Sequence, residues 1–533
     1  MRTSICVPLA ALIFVACSSS TETPHGAGGK GDGGSTSTGG TGSGGINGTG
    51  GHVVGAGGTS QTGGAPGGGG GSTPGTGGAG TGGRSTPGTG GGSAGIGGTT
   101  NPGTGGAGTG GRSNPGTGGA GTGGGSNPGA GGARTDGGAT PGTGGAVVDG
   151  GTTPAAGGAG SGGGYTENSG AACNVTAAAM LSTKNPKLPN PFAKHDGTII
   201  SAKADWECRR NEIKKDLEKY EIGTKPEPPT VAATLSGTKL SVVVTTSSGS
   251  ITLSSTVSGS GSCVVIGMNA TTSLVSGCTQ VPFSHDQVVK YGSGSTQYQT
   301  DPFYTVYPSL WGKIGNYNAW SWGISRLIDG LDQVKDQLKV DMTKIATWGC
   351  SYAGKMSLFG GAFDERVALT IVEESGGGGI DSWRASADFT KRTGTSVEKI
   401  DNTNYSWFLS SMKSLDPYSL PHDHHELIAM IAPRATIILG NDDYDWLGDE
   451  SGYKSTMAAI EVFKALGVAD NIGYDFTSGH NHCAAPTTQQ NSVKTFADRF
   501  LKGGTGATNV AIKPPKSGFD LTADFDWTTP TLQ

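Results

Sequence analysis

Ile345-Ala346-Thr347-Trp348-Gly349-Cys350-Ser351-Tyr352-Ala353-Gly354-Lys355 decides the fold. A short apolar run leads into a serine flanked by glycines, and Lys355 to Phe359 then reads as the start of a helix. Strand, sharp turn and helix in this order make a nucleophile elbow. The turn needs small neighbours and lifts the serine hydroxyl above the sheet edge. The same stretch has a rival reading, because Gly349 to Met356 is one substitution from a P-loop. A P-loop needs Ser or Thr where Met356 stands, since that hydroxyl binds Mg²⁺. A thioether cannot do so. The turn departs from G-x-S-x-G in that its second glycine, Gly354, comes three residues after Ser351.

Two further segments supply what a serine nucleophile requires. Glu373 and Glu374 follow the strand-like run 368–371 and offer a carboxylate. Ser478-Gly479-His480-Asn481-His482-Cys483 offers an imidazole near the C-terminus. The chain order Ser, acid, His is that of α/β-hydrolases. Many such enzymes take the acid from a loop after a later strand, and Asp442 and Asp443 stand in such a place after Ile437-Ile438-Leu439.

Working outward, apolar spacing predicts a helix over 205–220 through Trp206, Ile213, Leu217 and Tyr220, and another over 320–334. Residues 231–253 alternate in the β manner, and 263–267 reads as a buried strand. Strands at 345–348, 368–371, 435–439 and about 472–476 alternate with helical stretches. The expected fold is α/β: an α/β-hydrolase fold whose doubly wound, mostly parallel sheet forms a three-layer sandwich.

Composition divides the 533 residues. Most of the 100 glycines precede residue 165, in a ragged Pro/Thr/Ala repeat that does not hold the collagen phase. Residues 18–165 are expected to be a disordered Gly/Ser/Thr/Pro-rich linker, too poor in apolar side chains to offset chain entropy. As a flexible coil this tether spans roughly 60–70 Å. Residues 166–533 have ordinary globular composition, enough for one large domain. The net charge of −5 comes without a basic stripe or a nucleic-acid motif, which argues against a nucleic-acid partner.

Residues 1–17 read as a signal segment: Arg2, the short apolar core Val7 to Val15, then Ala16-Cys17. A small residue before a cysteine that ends the apolar core is lipobox-like, although Phe14 is atypical there. The expectation is a lipidated Cys17 on an outer-membrane or cell-surface protein, with ordinary secretion as the alternative. Membrane contact then runs only through that anchor, and the domain is expected to be a monomer. Besides Cys6 and Cys17, six cysteines remain: Cys173, Cys208, Cys263, Cys278, Cys350 and Cys483. An even count in an exported chain favours disulfides, and no C-x-x-C pair points to zinc.

Taken together, Trp206-Glu207-Cys208-Arg209-Arg210-Asn211-Glu212-Ile213, the Ser351 elbow, Glu374-Ser375-Gly376-Gly377, Asp445-Trp446-Leu447-Gly448 and Gly479-His480-Asn481-His482-Cys483 resemble the glucuronoyl esterases of carbohydrate esterase family 15. The resemblance runs from about Leu188 to Pro486. It implies an enzyme without cofactor or metal that cleaves the ester between the 4-O-methyl-glucuronoyl carboxyl of xylan and a lignin alcohol. It implies Ser351 as nucleophile, Glu374 as acid and His482 as base, with Glu373 and His480 as their unused neighbours. Asp442 or Asp443 stays open as substitute or helper. It places Lys355 and Trp446 on the sugar. Glu398, in Ser396-Val397-Glu398-Lys399, falls where fungal relatives have a sugar-binding glutamine. A core position is the alternative for Trp446. Many members carry arginine after the nucleophile. Here Tyr352 stands, whose backbone N–H can still serve the oxyanion. The fungal resemblance also pairs Cys350 with Cys483 and Cys173 with Cys208, which leaves Cys263 with Cys278.

Pro421-His422-Asp423-His424-His425-Glu426 has the look of a metal cluster, but adjacent histidines cannot all face one ion. Capping by Asp423 of a helix over 427–431 and packing are expected instead. Two other function classes remain: a generic esterase or acyl transferase, and a non-catalytic wall-binding lipoprotein on a hydrolase fold.

Overall fold

The computed structural model describes residues 166–292, 296–516, 519 and 521–533. The signal-like segment, Cys17 and the linker 18–165 lie outside the described residues. The strands are β1 (Thr230–Ser236), β2 (Lys239–Thr246), β3 (Gly249–Thr256), β4 (Val264–Met268), β5 (Thr279–Phe283), β6 (Ile345–Cys350), β7 (Val367–Glu373), β8 (Ala435–Leu439), β9 (Ile472–Asp475) and β10 (Ala511–Ile512). The helices are α1 (Asp205–Leu217), α2 (Pro302–Val306), α3 (Asn316–Leu338), α4 (Tyr352–Ala362), α5 (Trp383–Thr393), α6 (His424–Ala429), α7 (Asp449–Ala465) and α8 (Thr487–Phe500).

Seven strands form one sheet in the order β10-β9-β8-β7-β6-β4-β5, with every neighbouring pair parallel. A parallel sheet must be covered on both faces, so its strands are apolar throughout rather than alternating. Every residue of β4 and β8 is buried. In β8, Ile437 and Leu439 pack with Val493, Phe496 and Ala497 of α8. Ile438 points the other way, into the core shared with α3, α4, α6 and α7. Helices therefore cover both faces, and the three layers are those expected.

The alternating stretch 231–253 does not join this sheet. It folds into a separate antiparallel sheet, β1-β2-β3, whose pattern of one buried and one open face suits such a sheet. Gln333 of α3 closes its edge, accepting from Ala233 N–H at 2.9 Å and donating to Val231 C=O at 2.9 Å. The helix α1 continues as a single π turn over Glu218–Ile222, which keeps Tyr220 buried as its spacing predicts.

The parallel order fixes where chemistry can sit. Ligands of open α/β sheets bind beyond the carboxyl ends of the strands. Ser351 follows β6 and Glu374 follows β7. Asp442 and Asp443 follow β8, and His480 and His482 follow β9.

Candidate active site

At the end of β6 the chain turns sharply into α4. Ser351 holds φ 60° and ψ −128°, a conformation costly for a residue with a Cβ. Its neighbours explain how the turn fits. A Cβ on Gly349 would lie 2.1 Å from the Ala353 carbonyl oxygen, and one on Gly354 would lie 2.5 Å from that of Glu373. Gly354 is thus the glycine that lets α4 cross close over β7, which accounts for its place three residues after the serine. The Ser351 N–H donates to Glu373 C=O at 3.0 Å, and the Lys355 N–H donates to Ser351 C=O at 3.1 Å. The first N–H of α4, that of Tyr352, has no helical partner and lies at the positive end of the helix.

Glu374 is also in a strained turn, at φ 42°, pinned by its N–H to Leu439 C=O at 2.8 Å. Its carboxylate is buried and meets His482 Nδ1 at 2.6 Å through Oε2. Through Oε1 it accepts the Cys483 N–H at 3.2 Å. A carboxylate accepts only, so the proton of His482 sits on Nδ1 and Nε2 presents a lone pair. The backbone N–H of His482 donates to the Tyr444 hydroxyl at 3.1 Å, and the Trp446 ring stands edge-on 4.9 Å from the imidazole.

Cys350 and Cys483 are bonded, with Cα atoms 5.7 Å apart. The bond joins the residue before Ser351 to the residue after His482. No hydrogen bond joins the Ser351 hydroxyl to His482 among the described residues. Cys173–Cys208 and Cys263–Cys278 are the other two disulfides. The Cys350 and Cys483 sulfurs also lie near His482, Glu373 and Glu374, but bonded sulfurs are not the thiolates that a metal takes.

The rival residues sit elsewhere. Glu373 Oε2 accepts from Trp348 Nε1 at 3.0 Å. Burial pushes its carboxyl up to about 7, and the neighbouring Glu374 adds to the rise. His480 Nε2 donates to Thr477 C=O at 2.8 Å, while its Nδ1 is 3.7 Å from Glu374 Oε1. Asp442 accepts the Lys516 N–H at 3.1 Å, and Asp443 accepts the Gly479 N–H at 2.5 Å. Both later aspartates therefore hold loops, and Glu374 is the carboxylate on His482.

Beyond the elbow, Lys355 is buried, forms an ion pair with Glu398 and lies 4.9 Å over the Trp407 ring. Glu398 Oε1 accepts from the Thr403 hydroxyl at 2.6 Å. Trp446 is 43% exposed, so the core alternative for it fails. The Tyr352 hydroxyl accepts from Asn269 Nδ2 at 3.0 Å and faces His285 Nε2 at 3.4 Å. Its ring stands edge-on 4.8 Å from exposed Tyr291.

The histidine cluster is structural. His422 and His424 reach the two oxygens of buried Glu221, at 2.8 and 2.9 Å. His424 Nδ1 faces Gly379 C=O at 2.6 Å. Both ring nitrogens of His424 thus meet acceptors and carry protons. Burial lowers its pKa, but Glu221 outweighs that and the net shift is upward. Asp423 forms a capping box with Glu426 at the start of α6.

The chain that carries this serine, histidine, glutamate and disulfide is similar to known proteins. Residues 240–467 match the family model described as glucuronyl esterase, fungi. A 4-O-methyl-glucuronoyl methylesterase of Podospora anserina is 34% identical, over 68% of this chain and 78% of its own length. The chain belongs to the glucuronoyl esterases. A glucuronoyl esterase variant from Sporotrichum thermophile, solved with methyl 4-O-methyl-β-D-glucopyranuronate, superposes at TM-score 0.62 with 33% identity. It covers 68% of this chain and 100% of that one. A family 15 glucuronoyl esterase from Caldicellulosiruptor kristjansonii reaches TM-score 0.53 at 27% identity, over 64% of this chain and 98% of that one.

As a glucuronoyl esterase, the chain carries several contacts that its sequence did not announce. Tyr444, Trp407, Thr403, Asn269, His285 and Tyr291 all touch the residues singled out in advance. Tyr444 had one signal, an aromatic residue within Asp442-Asp443-Tyr444-Asp445 at the mouth of β8.

Proposed function

We propose that this glucuronoyl esterase cleaves esters between 4-O-methyl-glucuronoyl groups of xylan and lignin alcohols through an acyl-enzyme. The observation that carries the mechanism is the contact between Glu374 and His482, one residue from the disulfide that leads back to Ser351. The substrate class rests on the names of the relatives and on the glucuronate ester bound in the Sporotrichum structure.

In this mechanism the Ser351 oxygen attacks the ester carbonyl while His482 Nε2 takes its proton. Glu374 stabilises the imidazolium through Nδ1. The oxyanion forms at the N-terminus of α4, where the Tyr352 N–H donates. The alcohol leaves with the proton from His482. Water, activated by the same imidazole, then releases the glucuronate and restores Ser351. Lys355, Glu398 and Trp446 hold the sugar on the acyl side.

We further propose that residues 166–533 are the catalytic domain, carried by the linker 18–165 behind the signal segment 1–17, and that it acts as a monomer. Three disulfides fit an extracellular site of action. The lipobox-like Ala16-Cys17 favours a lipid-anchored, cell-surface form. Among the described residues no helix is long and apolar enough to cross a membrane.

Hydrolysis of benzyl glucuronate, benzyl galacturonate and simple acetyl esters tests the specificity. A kcat/KM at least tenfold higher on the glucuronate is expected. Equal rates on all three would make the protein a generic esterase.

A further inference from the structure

The sugar side of the site holds a cation that could work against turnover. Hydrolysis turns an uncharged ester into a carboxylate at the same carbon. Lys355 begins one helical turn after Ser351, and its N–H bonds the Ser351 carbonyl at 3.1 Å. One turn on, its side chain leaves α4 on the face of the serine, and an unopposed ammonium on that face would attract the anionic product more than the uncharged substrate.

The surroundings of Lys355 remove that bias. Its ammonium is ion-paired with Glu398 and lies over the Trp407 ring. The Thr403 hydroxyl fixes the other oxygen of Glu398. A further acid within electrostatic reach of both is Asp381, which is wholly buried with neither carboxyl oxygen hydrogen-bonded among the described residues. Gly448 and Gly452 close over it, since a Cβ on either would come within 2.4 and 2.8 Å of its oxygens. Burial pushes the Asp381 acid well above the carboxylate range, and nearby Asp449 adds to this. Asp449 is itself pushed up to about 8 by burial and by Asp442. No partner supports a charge on Asp381 among the described residues, so Glu398 is the anion that meets Lys355 in this cluster. Sugar hydroxyls both donate and accept, so they suit a paired ammonium and carboxylate. A product carboxylate only accepts, and it gains nothing net from the pair.

We propose that Glu398 makes the site selective for the uncharged ester over the carboxylate product, by cancelling the Lys355 charge, and so speeds release of the glucuronate it generates. This rests on the esterase reading and extends it to product release.

The test compares inhibition by sodium glucuronate in the wild type and in Glu398→Gln, with the methyl ester of glucuronate as substrate. The glutamine variant should bind glucuronate roughly tenfold more tightly, as expected when one nearby charge stops opposing the ligand. That gain should shrink between low and high salt, and KM for the ester should change less than Ki. Lys355→Met, which leaves Glu398 unopposed, should weaken glucuronate binding instead. Calorimetric titration of glucuronate reads the same differences without turnover, so they remain measurable should the wild type prove inactive on the ester. An unchanged Ki in Glu398→Gln, or Ki and KM moving by the same factor, would overturn the proposal.

Discussion

Glu374 holds His482 at two points, with Oε2 2.6 Å from Nδ1 and Oε1 on the next residue's N–H at 3.2 Å. Ring and backbone are thus oriented by one buried carboxylate. Only the Nε2 lone pair is left to face the solvent side, where the base is needed. The two contacts also separate Glu374 from the aspartates after β8, which spend their oxygens on Lys516 and Gly479.

Glu374→Gln should therefore lower kcat by about 10⁴, the cost of the wrong imidazole tautomer in a serine hydrolase. Asp443→Asn should cost far less, since only the turn before His480 depends on it. Steady-state kinetics on one ester decide the matter. A larger loss in Asp443→Asn would move the acid to the later strand.

Ser351→Ala should abolish ester cleavage, by a factor on the order of 10⁶ in a comparable hydrolase. The fold should persist, because the Ser351 hydroxyl makes no hydrogen bond among the described residues and the strained φ is a backbone feature. Activity together with a melting curve checks both halves.

Glu373 makes stability depend on pH in an unusual direction. Its folded pKa of about 7 lies above the ordinary 4.5. The unfolded chain loses this proton first, so the native state is progressively penalised as pH rises from about 4.5 to 7, by roughly 3 kcal/mol in total. Glu373→Gln keeps an acceptor for Trp348 and removes the titration. The variant should match the wild type at pH 4.5 and melt higher at pH 8. Parallel melting profiles across that range would show that Glu373 does not hold its proton.

Replacing Cys350 and Cys483 together by alanine opens a loop of 133 residues. The chain-entropy model sets the loss at about 5 kcal/mol. Turnover should fall even well below the melting temperature, because the elbow and the histidine loop lose their common tether. A double variant with full kcat at low temperature would mean that the sheet alone positions the two loops.

Lys355→Ala should weaken glucuronate esters by several-fold or more and leave p-nitrophenyl acetate little changed, because unpaired polar groups are the costly error in a site built for hydroxyls. An equal loss on both substrates would assign Lys355 to supporting α4.

What the sequence made legible was local. The elbow, the glutamate at the end of β7 and the paired histidines each announce themselves within a few residues, because strand, turn and helix have short signatures. Asp423 as a cap was legible for the same reason. Contacts between distant loops left no such trace. Glu221 lies 201 residues from His422 along the chain, and nothing in either segment names the other. The grip of Tyr444 on His482 and the Trp407 face under Lys355 likewise depend on loops without periodicity. The stretch 231–253 alternates as any half-buried strand does, so its segregation from the parallel sheet could be seen only in the folded chain.

The Cys350–Cys483 bond has a consequence for how the molecule is made. In an oxidising compartment this bond must close over 133 residues, against 35 and 15 for the other two. Cys173, Cys208, Cys263 and Cys278 are all available to Cys350 there. A thiol that waits among ready partners is prone to the wrong bond, and reshuffling takes seconds to hours. The linkage between nucleophile and base is then among the last covalent steps of maturation. Catalytic competence would report on the oxidative folding machinery of the host as much as on the sequence itself.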